Sequence, residues 1–598
     1  MKSFLQRLYA LLALCARPLR REAGLVLLLL AVQLVAFHLI GLPSRRQAGQ
    51  CLADYLLTLY LLAATLCLLP HRLRPWVRGA AVGVLLLIAG TEAFLRQRFH
   101  MVFEPTMFCL VAETDGEETG EFLRVCLRSK AFWSTLTTFV CLLLTGEALC
   151  EAGGWLKRRV ARRLSPCATR LVRHTATLLL AVAALVLIVT TVRPWAERRS
   201  DMLGFLCSAD SGKVERVSSR PYYSSPMRLL YCQKFWGLMQ QEGQRFADNT
   251  LRALEQAPVQ TADSLVAKPE IVVVIGESYN KYHAQIYGYD RPTTPTLSRL
   301  KRQGTLVAFT DVVSPYNVTS QVFKWVFSTA SVGHDKSWAD GIFWPALFRR
   351  AGWSVSFVTN QYVPSSRQNK IDYSGSFFLN AQPLDSLAFS HRNCHKYQYD
   401  GPLLGELSDT LLQPTLQIVH LIGQHMDAAL RVPASWKKWK ASDYNRPDLK
   451  EAQRQTLADY DNATRYNDEV LRRLIKRYRN REAVLIYFSD HGEEVYDAPL
   501  RMYGRNHRSH PSADVVRHEY EVPFFVWTSA AFRRTHPRFQ QRLRAAAALP
   551  FMTDDLCHIL FGMAQLPTPY YRADRDPLSP DYRTDRPRLL KDRWPYGR

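Results

Sequence analysis

The sequence predicts an N-terminal five-helix transmembrane domain followed by an α/β domain outside the membrane, and three patterns in its 598 residues predict this. Apolar residues crowd into five long runs within the first third of the chain. Basic residues are dense in alternate gaps between those runs. Beyond residue 268, short apolar stretches of strand length alternate with helical patterns, as in layered α/β proteins.

The five runs are Leu25–Leu42, Leu52–Leu69, Val77–Leu95, Phe132–Cys150 and Thr175–Val192. Each is long enough to cross a hydrocarbon core of roughly 30 Å. A cleaved signal peptide does not suit the first run, because the others follow it at once. Orientation comes from Lys and Arg. Arg17, Arg20 and Arg21 precede the first span, and Arg72, Arg74 and Arg78 surround the second loop. The fourth loop carries Lys157, Arg158, Arg159, Arg162, Arg163, Arg170 and Arg173. These three regions are therefore expected on the cytoplasmic side. The first loop has only Arg45 and Arg46, and the third holds Glu113, Asp115, Glu117, Glu118 and Glu121. Everything after Val192 is then outside, in a periplasm. Asp54 and Glu92 fall near the outer ends of spans two and three, where a carboxylate either reaches headgroup water or has a function.

The chain divides into a membrane domain (1–193), an amphipathic connector (194–268), an α/β domain (269–565) and a basic C-terminal tail (566–598). Within the connector, Met227–Trp236 mixes apolar and basic residues, as in a helix lying on a membrane surface. The formal charge of +24 calls for an anionic partner. No nucleic-acid motif accompanies it, so the membrane surface is that partner and nucleic acid is not. The twelve cysteines form no CxxC pair, which excludes a zinc ribbon. Cys207, Cys232, Cys394 and Cys557 lie in the periplasmic part, where disulfides are permitted but not assignable.

Strands are expected at Ile271–Ile275, Val355–Thr359, Thr415–Leu421, Ala483–Phe488 and Pro523–Trp527. In open α/β sheets ligands bind beyond the carboxyl ends of the strands. Gly276-Glu277-Ser278 follows the first of these strands, His420 to His425 the third, and Ser489-Asp490-His491-Gly492 the fourth. A further segment, Ser314 to Ser320, opens an amphipathic run over 321–328. It places Thr319 at a helix N-terminus, where backbone N–H groups favour a phosphate. Glu, Asp and His are ligands that suit a catalytic zinc, which acidifies a bound hydroxyl. Each piece alone has a plain reading: a solvated cap for the acids, a core histidine for His420, an ordinary N-cap for Thr319. Their order and spacing make the signal.

These motifs, with Tyr287 to Pro295 (YGYDRPTTP), Asn360-Gln361, Tyr460 to Ala463, the block Glu493-Glu494-Val495-Tyr496-Asp497, Gly504-Arg505-Asn506 and Val522-Pro523-Phe524, resemble the lipid A and lipopolysaccharide-core phosphoethanolamine transferases. The core-type members are the nearest match. Those enzymes belong to the alkaline phosphatase and sulfatase superfamily, so the resemblance implies a periplasmic domain of alkaline phosphatase/sulfatase-like fold. It implies Glu277, Thr319, Asp490 and His491 as ligands of one or two zinc ions, with Thr319 also the nucleophile. His425 corresponds to a histidine on the transferred phosphate or a second metal, with His420 preceding it. His507 and His510 both qualify for a further catalytic histidine, and His507 is preferred because it directly follows Asn506. Glu118 in the third loop, Asn360 and His510 are expected near substrate.

The chain departs from the family in places. Leu110 stands where members place an asparagine ahead of the Glu118 position. Pro315 replaces a cysteine before the nucleophile motif, so packing and the fixed φ of proline must hold that loop. Ser278 replaces a threonine after the metal-binding Glu, and only Arg367 or Lys370 is available for the lysine that some members place on the phosphate.

The implied reaction takes phosphoethanolamine from phosphatidylethanolamine onto Thr319, releasing diacylglycerol. It then passes the group to a lipid A or lipopolysaccharide acceptor, with His507 or His420 as general acid or base. The enzyme is expected to act as a monomer in the bacterial inner membrane and, by adding ammonium groups to the surface, to weaken binding of cationic peptides such as polymyxin. Rival readings are a phosphoglycerol transferase or a phosphodiesterase of the same superfamily. A sulfatase is disfavoured, because Ser314-Pro315-Tyr316 does not supply its nucleophile motif. A catalytically dead membrane sensor is disfavoured by retention of every expected ligand.

Overall fold

The computed structural model describes residues 2–40, 45–99, 102, 103, 127, 129–163, 165–197, 224–257, 268–361, 363, 379, 383–408, 414–497, 499–506 and 511–597. The chain forms two compact units, Met1–Met239 and Gln240–Arg598.

The first unit is helical. Helices Arg45–Leu68, Arg74–Phe99, Lys130–Arg163 and Pro166–Glu197 each contain a stretch long and apolar enough to cross a membrane. The first expected span coincides with Ala23–Ile40, which an additional helix, Lys2–Arg21, precedes at a bend of 64°. Counting that bent pair once gives five spans. The surface agrees: Leu27, Leu61, Leu87, Leu144 and Leu179 are among many large apolar side chains left exposed, whereas the second unit exposes only Leu251, Met426 and Leu430 among its described residues. A soluble surface does not carry apolar side chains in that density.

Glu92 is wholly buried and does not reach water. It receives Arg228 Nε at 2.8 Å and Nη2 at 2.6 Å, the Phe103 N–H at 3.1 Å and the Ser225 hydroxyl. Asp54 accepts the Ser224 N–H at 3.0 Å. Within the expected amphipathic connector, Ser225–Gln256 form one helix. Pro226 stands in its first turn, where the missing N–H costs no helical bond. Its early residues Tyr231, Cys232 and Phe235 are buried, as are the later Phe246, Thr250 and Ala253.

The second unit holds strands β1 (Glu270–Gly276), β2 (Leu306–Phe309), β3 (Val312–Val313), β4 (Ser354–Thr359), β5 (His391–Arg392), β6 (Thr415–His420), β7 (Ala483–Ser489), β8 (Glu494–Val495), β9 (Tyr503–Gly504), β10 (Phe524–Thr528), β11 (Phe551–Met552), β12 (Leu589–Leu590) and β13 (Trp594–Pro595). Seven form one sheet in the order β2-β10-β7-β1-β6-β4-β5. Its centre is parallel: Ile271 pairs with Leu416 of β6 and with Val484 of β7. β10 runs antiparallel to β7 and to β2. Buried on both faces, β1 and β7 read as unbroken apolar runs, Glu-Ile-Val-Val-Val-Ile-Gly and Ala-Val-Leu-Ile-Tyr-Phe-Ser. The carboxyl ends of β1, β7, β6 and β4 consequently open on one edge. Residues 566–597 pack onto this unit, where Arg586 pairs with Asp554 and Asp555, and Arg588 holds Asp311 at 2.6 Å. Cys394 and Cys557 are free thiols, and Cys207 lies outside the described residues.

Candidate metal centre

Parallel register brings the first residues beyond neighbouring strands side by side. Gly276 of β1 lies opposite Ser489 of β7, so Glu277 meets Asp490 and His491 although more than two hundred residues separate them in sequence. Their ligand atoms all lie within 4.8 Å of one another. Thr319, the first residue of the helix Thr319–Val326, donates its hydroxyl to Glu277 Oε2 at 3.0 Å and stands 3.3 Å from His491 Nε2. All four side chains are buried.

The hydrogen bonds fix which atoms are free. His491 Nδ1 lies 2.8 Å from the Gly492 carbonyl, which can only accept, so Nδ1 carries the proton and Nε2 offers a lone pair. That lone pair faces Glu277 Oε1 at 3.3 Å and Asp490 Oδ2 at 3.2 Å, and accepts from Arg505 Nη1 at 2.9 Å. Asp490 Oδ1 accepts the N–H groups of Ser278 and His491 at 3.2 and 2.7 Å, while its Oδ2 has no hydrogen-bond partner among the described residues. An orphaned carboxylate oxygen, a second carboxylate, an imidazole lone pair and a hydroxyl at one point are a donor set that fits zinc.

Electrostatics point the same way. Burial opposes the charge on Glu277, but its polar and cationic surroundings, with the Arg505 guanidinium among them, outweigh it and hold this carboxyl well below its ordinary range. Burial, and then the Glu277 charge, push Asp490 well above its own. Two carboxyls in one buried site cannot both stay charged without a cation between them. Burial also holds His420 down at about 4 and His425 at about 3, so both are neutral imidazoles near pH 7.

Surrounding groups aim these side chains. Gln361, just beyond β4, donates from Nε2 to Glu277 Oε2 and to the Leu421 carbonyl, each at 3.1 Å. Ser278 gives its hydroxyl to Glu277 Oε1 at 2.8 Å and holds a left-handed backbone, φ 55°, a conformation that costs a non-glycine residue about 1 kcal/mol or more. Tyr460 pins that turn by donating to the Ser278 carbonyl at 2.6 Å. Gly423 is also left-handed, and a Cβ there would come within 2.8 Å of the Glu277 carbonyl. The Thr319 loop, which lacks a cysteine at Pro315, is held by hydrogen bonds as well as by packing. Ser314 N–H donates to the Tyr520 carbonyl at 2.8 Å, and Asn317 Nδ2 to the Asn506 carbonyl at 3.0 Å and to Glu519 Oε2 at 2.7 Å.

The structure thus brings Glu277, Thr319, Asp490 and His491 together. His420, the last residue of β6, borders them, with Nε2 3.9 Å from Glu277 Oε2 and 3.3 Å from the Gln361 amide. His425 feels the charges of Glu277 and Arg505, and its Nδ1 has no hydrogen-bond partner among the described residues. Asn360 is not brought into this group: its amide is committed to Asp400 Oδ1 at 3.1 Å and to the Tyr397 N–H at 2.6 Å. Glu118, His507 and His510, like Leu110, Arg367 and Lys370, lie outside the described residues. Three participants were not singled out in the sequence as site residues: Gln361, Arg505 and Glu519. The first two stand in motifs that carried the resemblance. Glu519, the shared anchor of Asn317 and Asn506, had no signal beyond being an acid ahead of a strand.

Comparison with known proteins adds the family. Residues 269–565 match the Sulfatase family. Phosphoethanolamine transferase EptC of Escherichia coli K12 is 31% identical over 327 residues, 52% of this chain and 54% of that protein. Phosphoethanolamine transferase EptA of Helicobacter pylori is 29% identical over 283 residues, 45% of this chain and 50% of that protein. The chain spans about half the length of the curated relatives it matches. The structure of the integral membrane lipooligosaccharide phosphoethanolamine transferase A of Neisseria meningitidis covers 94% of this chain and 97% of its own, with a TM-score of 0.54 at 19% identity, and so shares the fold of membrane helices and α/β sheet. Residues 269–565 are a domain of the Sulfatase family, carried on a chain whose N-terminal helices are long and apolar enough to cross a membrane.

Proposed function

We propose that the chain is a zinc-dependent phosphoethanolamine transferase of the inner membrane, with its sheet unit in the periplasm. Phosphatidylethanolamine is the donor, and lipid A or lipopolysaccharide core the acceptor. The observation that carries this reading is the Thr319 hydroxyl, 3.0 Å from Glu277 and 3.3 Å from His491 at a helix N-terminus. The names of the similar proteins support the substrate class.

Glu277, Asp490, His491 and the Thr319 oxygen would hold the zinc ion. Bound there, it would supply Lewis acidity, making the hydroxyl a better nucleophile at neutral pH. Thr319 Oγ1 attacks phosphorus, the bond from phosphorus to the diacylglycerol oxygen breaks, and the threonine proton ends on that oxygen. Phosphoethanolamine stays on Thr319, its oxygens facing the first N–H groups of the helix 319–326 and the Arg505 guanidinium. An acceptor oxygen then displaces Thr319. His425, whose Nδ1 has no hydrogen-bond partner among the described residues, would exchange the acceptor's proton, with His507 the other choice. His420 is wedged between Thr359, at 3.1 Å, and Gln361, which suits positioning Glu277 rather than carrying protons.

The test is the intact mass of the purified protein after incubation with phosphatidylethanolamine, beside Thr319→Ala. Wild type should gain one phosphoethanolamine and the variant none, with turnover at least about a thousandfold lower. A zinc-loaded wild type that gains no mass and releases no diacylglycerol sinks the donor assignment.

A further inference from the structure

Away from Thr319, the second unit contains another convergence of metal-binding side chains. Donor atoms of Glu494, Asp497 and His518 all lie within 4.8 Å of one another. Glu494 opens β8, which pairs with β9, and Asp497 lies just beyond β8. His518 comes from a π-helical turn, Val516–Tyr520, a distortion found mostly where a side chain must be re-aimed at a functional site. The two segments run against each other without room for a side chain. The Gly492 N–H donates to the Glu519 carbonyl at 2.8 Å, and a Cβ on Gly492 would fall 2.1 Å from the His518 carbonyl.

Glu494 is the unusual member. It is 1% exposed, and neither carboxylate oxygen has a hydrogen-bond partner among the described residues. Leaving such a group buried and unanswered is costly. Burial, and then the charges of Asp497 and Glu519, push its pKa up to about 9. The nearby His283 answers Asp461 Oδ1 at 2.8 Å and Asp497 Oδ2 at 3.3 Å, and no bond runs from it to Glu494 among the described residues.

His518 is already in the form that binds metals. Asn280 Nδ2 donates to the Glu493 carbonyl at 2.9 Å, and Asn280 Oδ1 accepts the Tyr282 N–H at 2.9 Å, which fixes the amide's orientation. The same Nδ2 lies 3.2 Å from His518 Nδ1 and 3.3 Å from Asp497 Oδ2, so that ring nitrogen is unprotonated, and an ion there would take the place of the amide contact. It stands 3.5 Å from Asp497 Oδ2.

We propose that Glu494, Asp497 and His518 form a second site for a divalent cation of the zinc class, separate from the Glu277–Asp490–His491 group. Two carboxylates and an imidazole are a donor set such ions take, and coordination gives Glu494 the partner it lacks. The site's role is structural. Its ligands lie on both sides of the stretch that carries Arg505 and Asn506. Those residues hold the Thr319 loop through the Asn317 carbonyl, at 3.3 Å from Arg505 Nη1, and the Asn317 amide, at 3.0 Å from the Asn506 carbonyl. Fastening both ends of that stretch lowers its freedom and keeps Arg505 against His491.

The experiment uses the full-length protein in detergent, stripped with a chelator, reloaded with zinc alone and assayed for bound metal. Glu277→Gln combined with Asp490→Asn disables the first site. That variant should still hold on the order of one zinc per chain, and adding Glu494→Gln or His518→Gln should weaken the residual binding at least about tenfold. Residual zinc that survives both additions overturns the proposal, as does a first-site variant that binds none. Hydrogen exchange over 494–518 in the first-site variant reads the site without altering its ligands. Zinc should slow exchange there, and unchanged exchange also overturns the proposal.

Discussion

Glu92 in the membrane unit and the Glu277–Asp490 pair in the sheet unit are equally buried, yet their surroundings treat them in opposite ways. Glu92 meets a guanidinium through two bonds, at 2.6 and 2.8 Å, together with a backbone N–H and a hydroxyl, so its charge and its lone pairs are answered from within the chain. Glu277 and Asp490 share one imidazole, whose Nε2 in turn meets Arg505, and Asp490 Oδ2 has no hydrogen bond among the described residues. A buried carboxylate matched by a cation of the fold is a structural joint. A pair with surplus negative charge is preorganised for an ion from outside, at the expense of stability until that ion arrives.

Substitutions separate the two cases. The largest effect is expected at Arg228→Leu, which strands the Glu92 charge and should cost about 3–5 kcal/mol in unfolding followed in detergent. Removing both charges with Glu92→Leu and Arg228→Leu should recover most of that loss. A double variant as unstable as the single one would mean that the pair does more than satisfy itself. Next comes Gln361→Leu, which takes one donor from Glu277 and should weaken zinc binding about 10–100-fold in competition with a chromophoric chelator. Unchanged affinity would remove Gln361 from the centre. The smallest effect has the most telling sign. Asp490→Asn relieves the surplus charge, so the metal-free protein should gain about 0.5–2 kcal/mol in thermal unfolding while its zinc affinity falls. Metal-free Asp490→Asn protein less stable than wild type would make this centre a joint like that of Glu92.

Much of this was legible in the residues, for reasons that also explain what was not. Spans and central strands are long apolar runs with sharp ends, and β1, β4, β6, β7 and β10 stand where such runs were read. β2 has four residues on an antiparallel edge and β5 has two, too short for any periodicity to register. The helix Lys2–Arg21 escaped notice because its arginines and lysine break the apolar run that a span needs. Met227–Trp236, read as a surface helix, is part of the longer helix Ser225–Gln256, along which buried side chains outweigh the weak propensity of Gly237 and Gly243. At the centre, Glu277, Asp490 and His491 follow strand ends and Thr319 begins a helix, all positions that a linear reading can pick out. Gln361 and Glu519 act through partners distant in sequence, and only the folded chain shows those partners.

The register that sets Gly276 beside Ser489 also fixes when the centre can exist. Ser278 and Asp490 are hydrogen-bonded across 212 residues of chain, and β1 lies between two strands that are both made long after it. As the polypeptide emerges, β1 is an apolar strand with two open edges; β6 can cover one, and β7 the other only later. Such long-range pairing is slow and leaves a sticky intermediate. A chain stopped short of residue 483 would therefore lack two of the proposed metal ligands and also leave one edge of β1 open to its neighbours.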